Sequence, residues 1–485
     1  MRNLTRPGEG FATDTGHDQT RERLMRQYAA IPPGTPIRLS KRTSNLFRYR
    51  ERSSGPGLDA SGLDQVLSVD PVSRTADVQA MTTYERLVDA TLAHGLMPLV
   101  VPQLKTITIG GAVTGLGIES SSFRNGLPHE SVRELEILTG AGEVVVADPE
   151  GKHRDLFRTF PNSYGTLGYA LRLVIDLEPV HPFVRLRHVR FTNLEMLTGA
   201  VASIVAASAF DGEPVDFLDG TVFGADEAYL TLGSWADTVP YTSDYAGRQI
   251  YYRSIRSRRT DYLTVRDYLW RWDTDWFWCS RAFGAQNRLV RALWPKRWLR
   301  SDVYAKLVRW EAGHQVSARL DRSRGRPRRE RVVQDVEIPL GRTAEFMDWF
   351  LREVPILPVW LCPLRLRGAG GAAPTAPTAP MAAVQAESDG GPWPLYPLHP
   401  DQTYVNVGFW STVPIPPGGR DGEVNRRIEK AVAAHDGHKS LYSESYYAPE
   451  EFWALYGGTA YRDVKKRYDP RSRLLDLYAK AVGRR

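Results

Sequence analysis

The chain has 485 residues, 25% charged, 42% hydrophobic and 11% aromatic, with two cysteines and a formal net charge of +7. This length admits two or three domains with substantial cores, and the composition excludes a fibre or a wholly disordered chain. Cys279 and Cys362 are too few for a disulfide framework and lack metal-ligand spacing, which points to a reducing compartment, the cytoplasm. No stretch approaches the roughly 18 apolar residues of a membrane span, and the first residues lack a signal-peptide core. The arginine-rich positive charge suits nucleic acid, an anionic cofactor or acidic lipid, and does not choose among them.

Residues 1–35 read as an N-terminal extension. From 36 to about 180 the pattern is α+β. "LDQVLSVDPVSRTADVQA" predicts a hairpin split at "DPVSR", and "TYERLVDATLAHGL" predicts an amphipathic helix stopped by Gly95 and Pro98. A glycine-rich stretch follows, "TITIGGAVTGLGIESSSFRNG" from Thr106 to Gly126. Next, "VRELEILTGAGEVVVAD" reads as strand, turn, strand. "DLFRTFPNSYGTLGYALRLVIDLEP" reads as a short helix, a second glycine loop and a strong strand. From His181 the chain grows rich in tryptophan and arginine, as in "YLWRWDTDWFWCSRAFG" and "RALWPKRWLRSDVYAKLVRW". Two credible strands, "PVWLCPLRL" and "TYVNVGFW", flank a Pro/Ala-rich insert at 368–391 that cannot bury a core. Residues 441–485 read mostly as helix.

The glycine stretch lacks the spacing of a dinucleotide fingerprint and the Gly-Lys-Ser/Thr ending of a P-loop. It offers backbone N–H groups beside Thr108, Thr114, Ser120, Ser121 and Ser122, a surface able to cradle phosphates or a flat polar ring. A bend between strands with nothing bound explains it equally well. The ten histidines form no ligand pair, so a metal is not expected.

The order of "PxLxxxTIGG" (Pro102–Gly111), "GLGIESS", a strand pair, "DLF", "GTLG" (Gly165–Gly168) and a strand ending Glu-Pro resembles the FAD-binding domain of the vanillyl-alcohol-oxidase and p-cresol-methylhydroxylase superfamily. "TIGGAVTGLGIESSSFRNGL" and "DLFRTFPNSYGTLGY" are most similar to its Δ24-sterol reductase branch. "VVQDVEIPL", "PVWLCPL" and "YYAPEEFWALYGGTAYRDVKKRYDP" carry the likeness to the C-terminus. The resemblance implies an α+β chain with a two-subdomain FAD-binding domain at 36–180 and an α+β substrate domain at 181–440. Its C-terminal segment, 441–485, would return to the FAD domain. It also implies that FAD is held by Thr108, Ile109, Gly110, Gly111, Thr114, Gly115, Gly117, Ile118, Glu119, Ser120, Ser121, Gly165, Thr166 and Gly168. "KRTSNLFR" stands where many relatives carry a histidine bonded covalently to flavin. It has none, so a dissociable FAD is expected, its pyrophosphate against Thr43, Ser44 and Asn45.

The activity implied is NADPH-dependent reduction of a lipid double bond, on a sterol side chain or an unsaturated or methylene-branched fatty acyl chain. An isolated alkene has no carbonyl to polarise, so a proton must arrive before or with hydride from the flavin. The cation that develops is stabilised by aromatic faces. Candidate donors and positioning groups are Glu119, Gln334, Asp335, Tyr442, Glu444 and Tyr446. A solvated helix explains Glu444 and a plain strand edge explains Gln334 and Asp335. Interleaved tryptophan and arginine at 291–310 suit an anionic membrane surface or an inward-packed helix, and a lipid substrate favours peripheral association at the inner face. A nucleic-acid partner is not expected. Two alternatives stay open: an oxidase or dehydrogenase of a sugar, lactone or alcohol, and a non-catalytic basic lipid-binding module.

Overall fold

The computed structural model describes residues 14–40, 56–247, 249–314, 323–367 and 392–482. Thr43, Ser44, Asn45 and the insert at 368–391 therefore lie outside the described residues. Within the stretch read as an extension, α1 (Asp14–Ala30) packs Leu24 with Ile37, Leu58 and Leu171. The hydroxyl of Tyr28 donates to the Gly140 carbonyl at 2.7 Å.

Alternating residues give the hairpin of β1 (Val66–Asp70) and β2 (Thr75–Gln79), paired antiparallel. Its turn closes where Asp70 accepts from the amides of Val72 and Ser73. α2 (Tyr84–Leu92) begins at Thr83, whose hydroxyl accepts from the Arg86 amide, and buries Tyr84, Leu87, Val88 and Thr91 on one face. Gly95, at φ +69°, ends it. Then come β3 (Leu96–Pro98), α3 (Ile109–Thr114), β4 (Val132–Thr139), β5 (Val144–Ala147), α4 (Arg154–Thr159) and β6 (Gly168–Pro179). The strands form one antiparallel sheet in the order β1-β2-β6-β4-β5, with β3 against the end of β6.

The second half builds a larger sheet from β7 (Phe183–Phe191), β8 (Phe217–Gly224), β9 (Glu227–Ala236), β10 (Thr260–Thr264), β11 (Arg329–Pro339), β12 (Val359–Leu364), β13 (Tyr404–Pro414) and β14 (His438–Lys439). Its order is β10-β7-β9-β8-β12-β13-β11-β14, antiparallel throughout. α5 (Leu194–Ala207), α8 (Leu340–Glu353) and α9 (Glu423–Ala434) cover one face, where Ile204, Phe350 and Ile428 pack on Val332, Val336 and Val407. Between β10 and β11 run α6 (Arg288–Leu293) and α7 (Ser301–His314).

The two-residue period of a strand sends alternate side chains to opposite faces. Gln334 therefore points to the helical side and donates to Asn425 of α9. Val333 and Asp335 point the other way, as do Trp360 of β12 and Trp410 of β13, toward the first sheet. One buried cluster joins the two halves across this face, including Leu173 and Ile175 of β6 with Phe217, Trp272 and Trp360. α10 (Gly458–Tyr468) returns the chain to the first half. The Lys465 ammonium donates to the Thr166 carbonyl at 2.7 Å and the Tyr468 hydroxyl to Asp155 of α4 at 2.8 Å.

Candidate active site

Part of the glycine stretch is a short helix, not an extended ribbon. Thr108 caps α3, its hydroxyl accepting from the Gly111 amide at 3.2 Å. A Cβ on Gly110 would lie 2.8 Å from the Cβ and carbonyl oxygen of Ala80, so this glycine lets the helix touch the turn that ends β2. A Cβ on Gly117 would fall between Pro128 and Pro102, 2.9 and 3.0 Å away. Close packing thus accounts for both glycines, and Gly117, with Gly111 and Gly115, also lines one wall of a cavity. The "PNSYGTLG" loop straps α3 in place: the Tyr164 amide donates to the Thr114 carbonyl at 2.7 Å and the Asn162 side chain to the Gly115 carbonyl.

The cavity measures about 710 Å³, within the roughly 300–1,000 Å³ of small-molecule sites. Thr108, Gly111, Thr114, Gly115, Gly117 and Ile118 line one side. Trp276, Phe277, Trp278, Trp360 and Trp410 line the other. Trp276 and Phe277 sit at φ 45° and 59°, a left-handed turn that bulky residues adopt at a cost of about 1–3 kcal/mol each. Packing holds them there: Phe277 stacks on Trp272 at 4.9 Å and lies 4.4 Å from Trp410. Buried Asp219 anchors the same wall, accepting from Arg271 at 3.0 Å, from Trp360 Nε1 at 3.2 Å and from Trp272 Nε1 at 3.4 Å.

Asp335 is the acid facing this space from the second sheet. It pairs across the ladder with Gly408, where a Cβ would come within 2.5 Å of its Oδ1, so the missing side chain makes room for the carboxyl. Burial raises Asp335 to about 7, against hydrogen bonds from Tyr442 and Asn406 that favour the carboxylate. Tyr442 lines the cavity and accepts from Trp410 Nε1 at 2.9 Å, which completes a chain from indole to phenol to carboxyl. Glu119 also reaches the cavity wall. It accepts from the Gln103 amide at 2.9 Å and from its side chain, and burial pushes it well above the usual carboxylate range.

The remaining candidates lie elsewhere. Glu444 accepts from Arg331 at 2.9 Å and from the Tyr446 hydroxyl at 3.0 Å, so it is committed to an ion pair at the cavity edge. The Tyr446 ring lies under the Arg426 guanidinium, 4.8 Å away. Ile109 and Gly110 are buried in the first half. Ser120 bonds the Tyr268 hydroxyl at 2.7 Å and Ser121 the Leu99 carbonyl at 2.8 Å, both behind the cavity wall. Gly165 and Gly168 serve the turn into β6, with φ of +76° and +146°, and the Thr166 hydroxyl donates to the Ser163 carbonyl. An aromatic pocket follows from the chemistry of an isolated alkene, but its members do not. The "WFW" of "DTDWFWCS" and the tryptophans of "PVWLCPL" and "VGFW" are the signal that identifies them.

The residues present suit FAD. Backbone rather than bulky side chains faces the cavity at Gly111, Gly115 and Gly117, and the buried Gln103 Oε1 in its wall has no partner among the described residues. That orphan acceptor matches the imide N–H of an isoalloxazine.

Comparison with known proteins agrees. The FAD binding domain family matches residues 27–148. The Delta(24)-sterol reductase of Arabidopsis thaliana is 24% identical over 451 residues, 87% of this chain and 76% of that protein. That of Homo sapiens is 24% identical over 447 residues, 86% and 76% of the two chains. Cytokinin dehydrogenase 9 of Oryza sativa subsp. japonica is 29% identical over 180 residues, 37% of this chain and 34% of its own. The cavity on the glycine backbone and the likeness along most of the chain converge: the protein is an FAD-dependent oxidoreductase, similar to the Δ24-sterol reductase branch of the FAD-binding superfamily.

Proposed function

We propose that the protein reduces an isolated carbon–carbon double bond of a lipid, a sterol side chain or an unsaturated or methylene-branched fatty acyl chain, with NADPH as electron donor. One observation carries the reading: a carboxyl raised to about 7, Asp335, stands among aromatic faces in an apolar cavity. When bound, FAD supplies the hydride. Asp335 in its neutral form gives its proton to the less substituted alkene carbon. Tyr442, held by Trp410, then stabilises the carboxylate left behind. The faces of Phe277, Trp360 and Trp410 favour positive charge on the more substituted carbon, by about 0.5–2 kcal/mol each. The backbone at Gly111, Gly115 and Gly117 would hold the ring, and Gln103 its polar edge.

The test is anaerobic. The FAD-loaded protein should bleach with NADPH and recolour on adding an alkene lipid, which leaves saturated. Bleaching by a sugar or alcohol but not by NADPH would replace this reading with an oxidase or dehydrogenase.

A further inference from the structure

Most exposed apolar side chains of a soluble fold are scattered and need no explanation. Here they are not scattered. Of thirteen exposed large hydrophobics among the described residues, six fall between residues 289 and 310: Leu289, Val290, Leu293, Trp298, Leu307 and Trp310. Leu289 and Leu293 are 77% and 86% exposed, one turn apart on α6. Leu307 and Trp310 share the outer stripe of α7, while Tyr304 is buried.

Charge accompanies them. No acid occurs from Arg288 to Arg300, and the exposed Arg288 and Lys296 have no ion pair among the described residues. Arg291, by contrast, is buried against Asp275 at 2.8 Å and belongs to the interior. The outer surface is thus leucine and tryptophan interleaved with uncompensated cations. The same segment borders the cavity: Val308, next to exposed Leu307, lines it, and so does Phe283, stacked on Tyr304 of α7 at 5.4 Å.

We infer that α6, the turn at Lys296–Trp298 and the outer stripe of α7 form a docking surface for an anionic phospholipid bilayer. Leu289, Leu293 and Trp310 enter the headgroup boundary, and Arg288, Lys296 and Arg297 meet lipid phosphates. No helix among the described residues is long and apolar enough to cross a membrane, so the attachment is superficial. It places the rim of the cavity at the lipid surface. The inference does not depend on the reduction chemistry proposed above, because docking is read without turnover.

The test is co-sedimentation of the full-length, FAD-loaded protein with vesicles of equal parts phosphatidylglycerol and phosphatidylcholine, and with phosphatidylcholine alone. Wild type should pellet with the anionic vesicles at least tenfold more strongly. The triple variant Leu289→Ser, Leu293→Ser, Trp310→Ser should lose at least tenfold of that binding while keeping its flavin and melting temperature. Arg288→Glu with Lys296→Glu should abolish the preference for anionic lipid. Equal pelleting of wild type and the serine variant would mean that diffuse positive charge, not this surface, makes the contact, and would overturn the inference. So would a protein that ignores both vesicles but forms a dimer dispersed by the serine substitutions.

Discussion

Asp335→Asn separates the acid from everything else in the site. The substitution keeps the shape of the side chain and an oxygen to accept from Tyr442, and removes the proton. Loss of a positioned general acid costs about 10²–10⁴-fold in rate. Stopped-flow reduction of the bound flavin by NADPH should be unchanged, whereas its reoxidation by an alkene lipid should slow by that factor. In wild type, the alkene half-reaction should run at full rate below pH 7 and fall about tenfold per unit above it, because Asp335 titrates at about 7. The same shift carries a stability signature of defined sign. The folded-state value of about 7 lies above the ordinary 3.8, so the folded form binds the extra proton between these limits. Stability then falls as pH rises from about 4 to 7, by up to about 4 kcal/mol in all. The Asn variant should lack that slope in urea unfolding and be the more stable protein at pH 8. Glu119→Gln is the control. Its carboxyl is held by Gln103, so turnover should survive within a few-fold. A variant at Asp335 that reoxidises normally, or an equal loss at Glu119, would refute the assignment.

Three further outcomes follow from the same geometry. Gly408→Ala puts a Cβ within 2.5 Å of Asp335 Oδ1, so the carboxyl must shift; the alkene half-reaction should fall at least tenfold with flavin content unchanged. Trp410→Leu removes both a ring from the aromatic wall and the donor to Tyr442, worth together about 2–3 kcal/mol, so the same half-reaction should slow by about 30- to 150-fold, and Trp410→Phe should recover part of it. Arg271→Leu leaves Asp219 buried without its cation and should cost about 3–5 kcal/mol in urea unfolding, with loss of the tryptophan wall visible in near-UV circular dichroism.

Local patterns carried the first half of the fold into the sequence. The "DPVSR" hairpin, the helix capped by Thr83 and the long strand at β6 are each determined by residues within a dozen positions. Glycine is ambiguous in sequence because one residue type serves several purposes. Gly110 serves only close packing against Ala80, whereas Gly111, Gly115 and Gly117 both pack closely and border the cavity, and only three-dimensional neighbours distinguish them. The choice between Gln334 and Asp335 was open for a related reason. Period two says that they face opposite ways, but not which of them meets the helices. That is decided by α9, whose Asn425 lies about 90 residues further along the chain and takes the Gln334 side chain.

In the proposed reaction, the placement of Asp335 puts the acid on the large sheet rather than on the glycine wall. A donor on α3 would have to share its space with the cofactor. A donor on β11 approaches the cavity from the opposite side, with Val333 beside it on the same face. Long pairing supplies the rigidity: β11 is bonded to β13 along its full length, from Arg329↔Pro414 to Pro339↔Tyr404, and to the short β14 at Val336 and Glu337. Its carboxyl therefore cannot drift toward solvent to regain the hydration that would ionise it. Tyr442, reached from the C-terminal segment, is fixed in turn because the neighbouring Leu441 amide donates to Tyr164 at 3.1 Å, in the loop that straps α3. The glycine wall, the acid and its partner phenol are thus tied by hydrogen bonds into one frame. A neutral carboxyl is held there at the expense of folding stability, and in the proposed reaction that cost is what makes it available as an acid near pH 7.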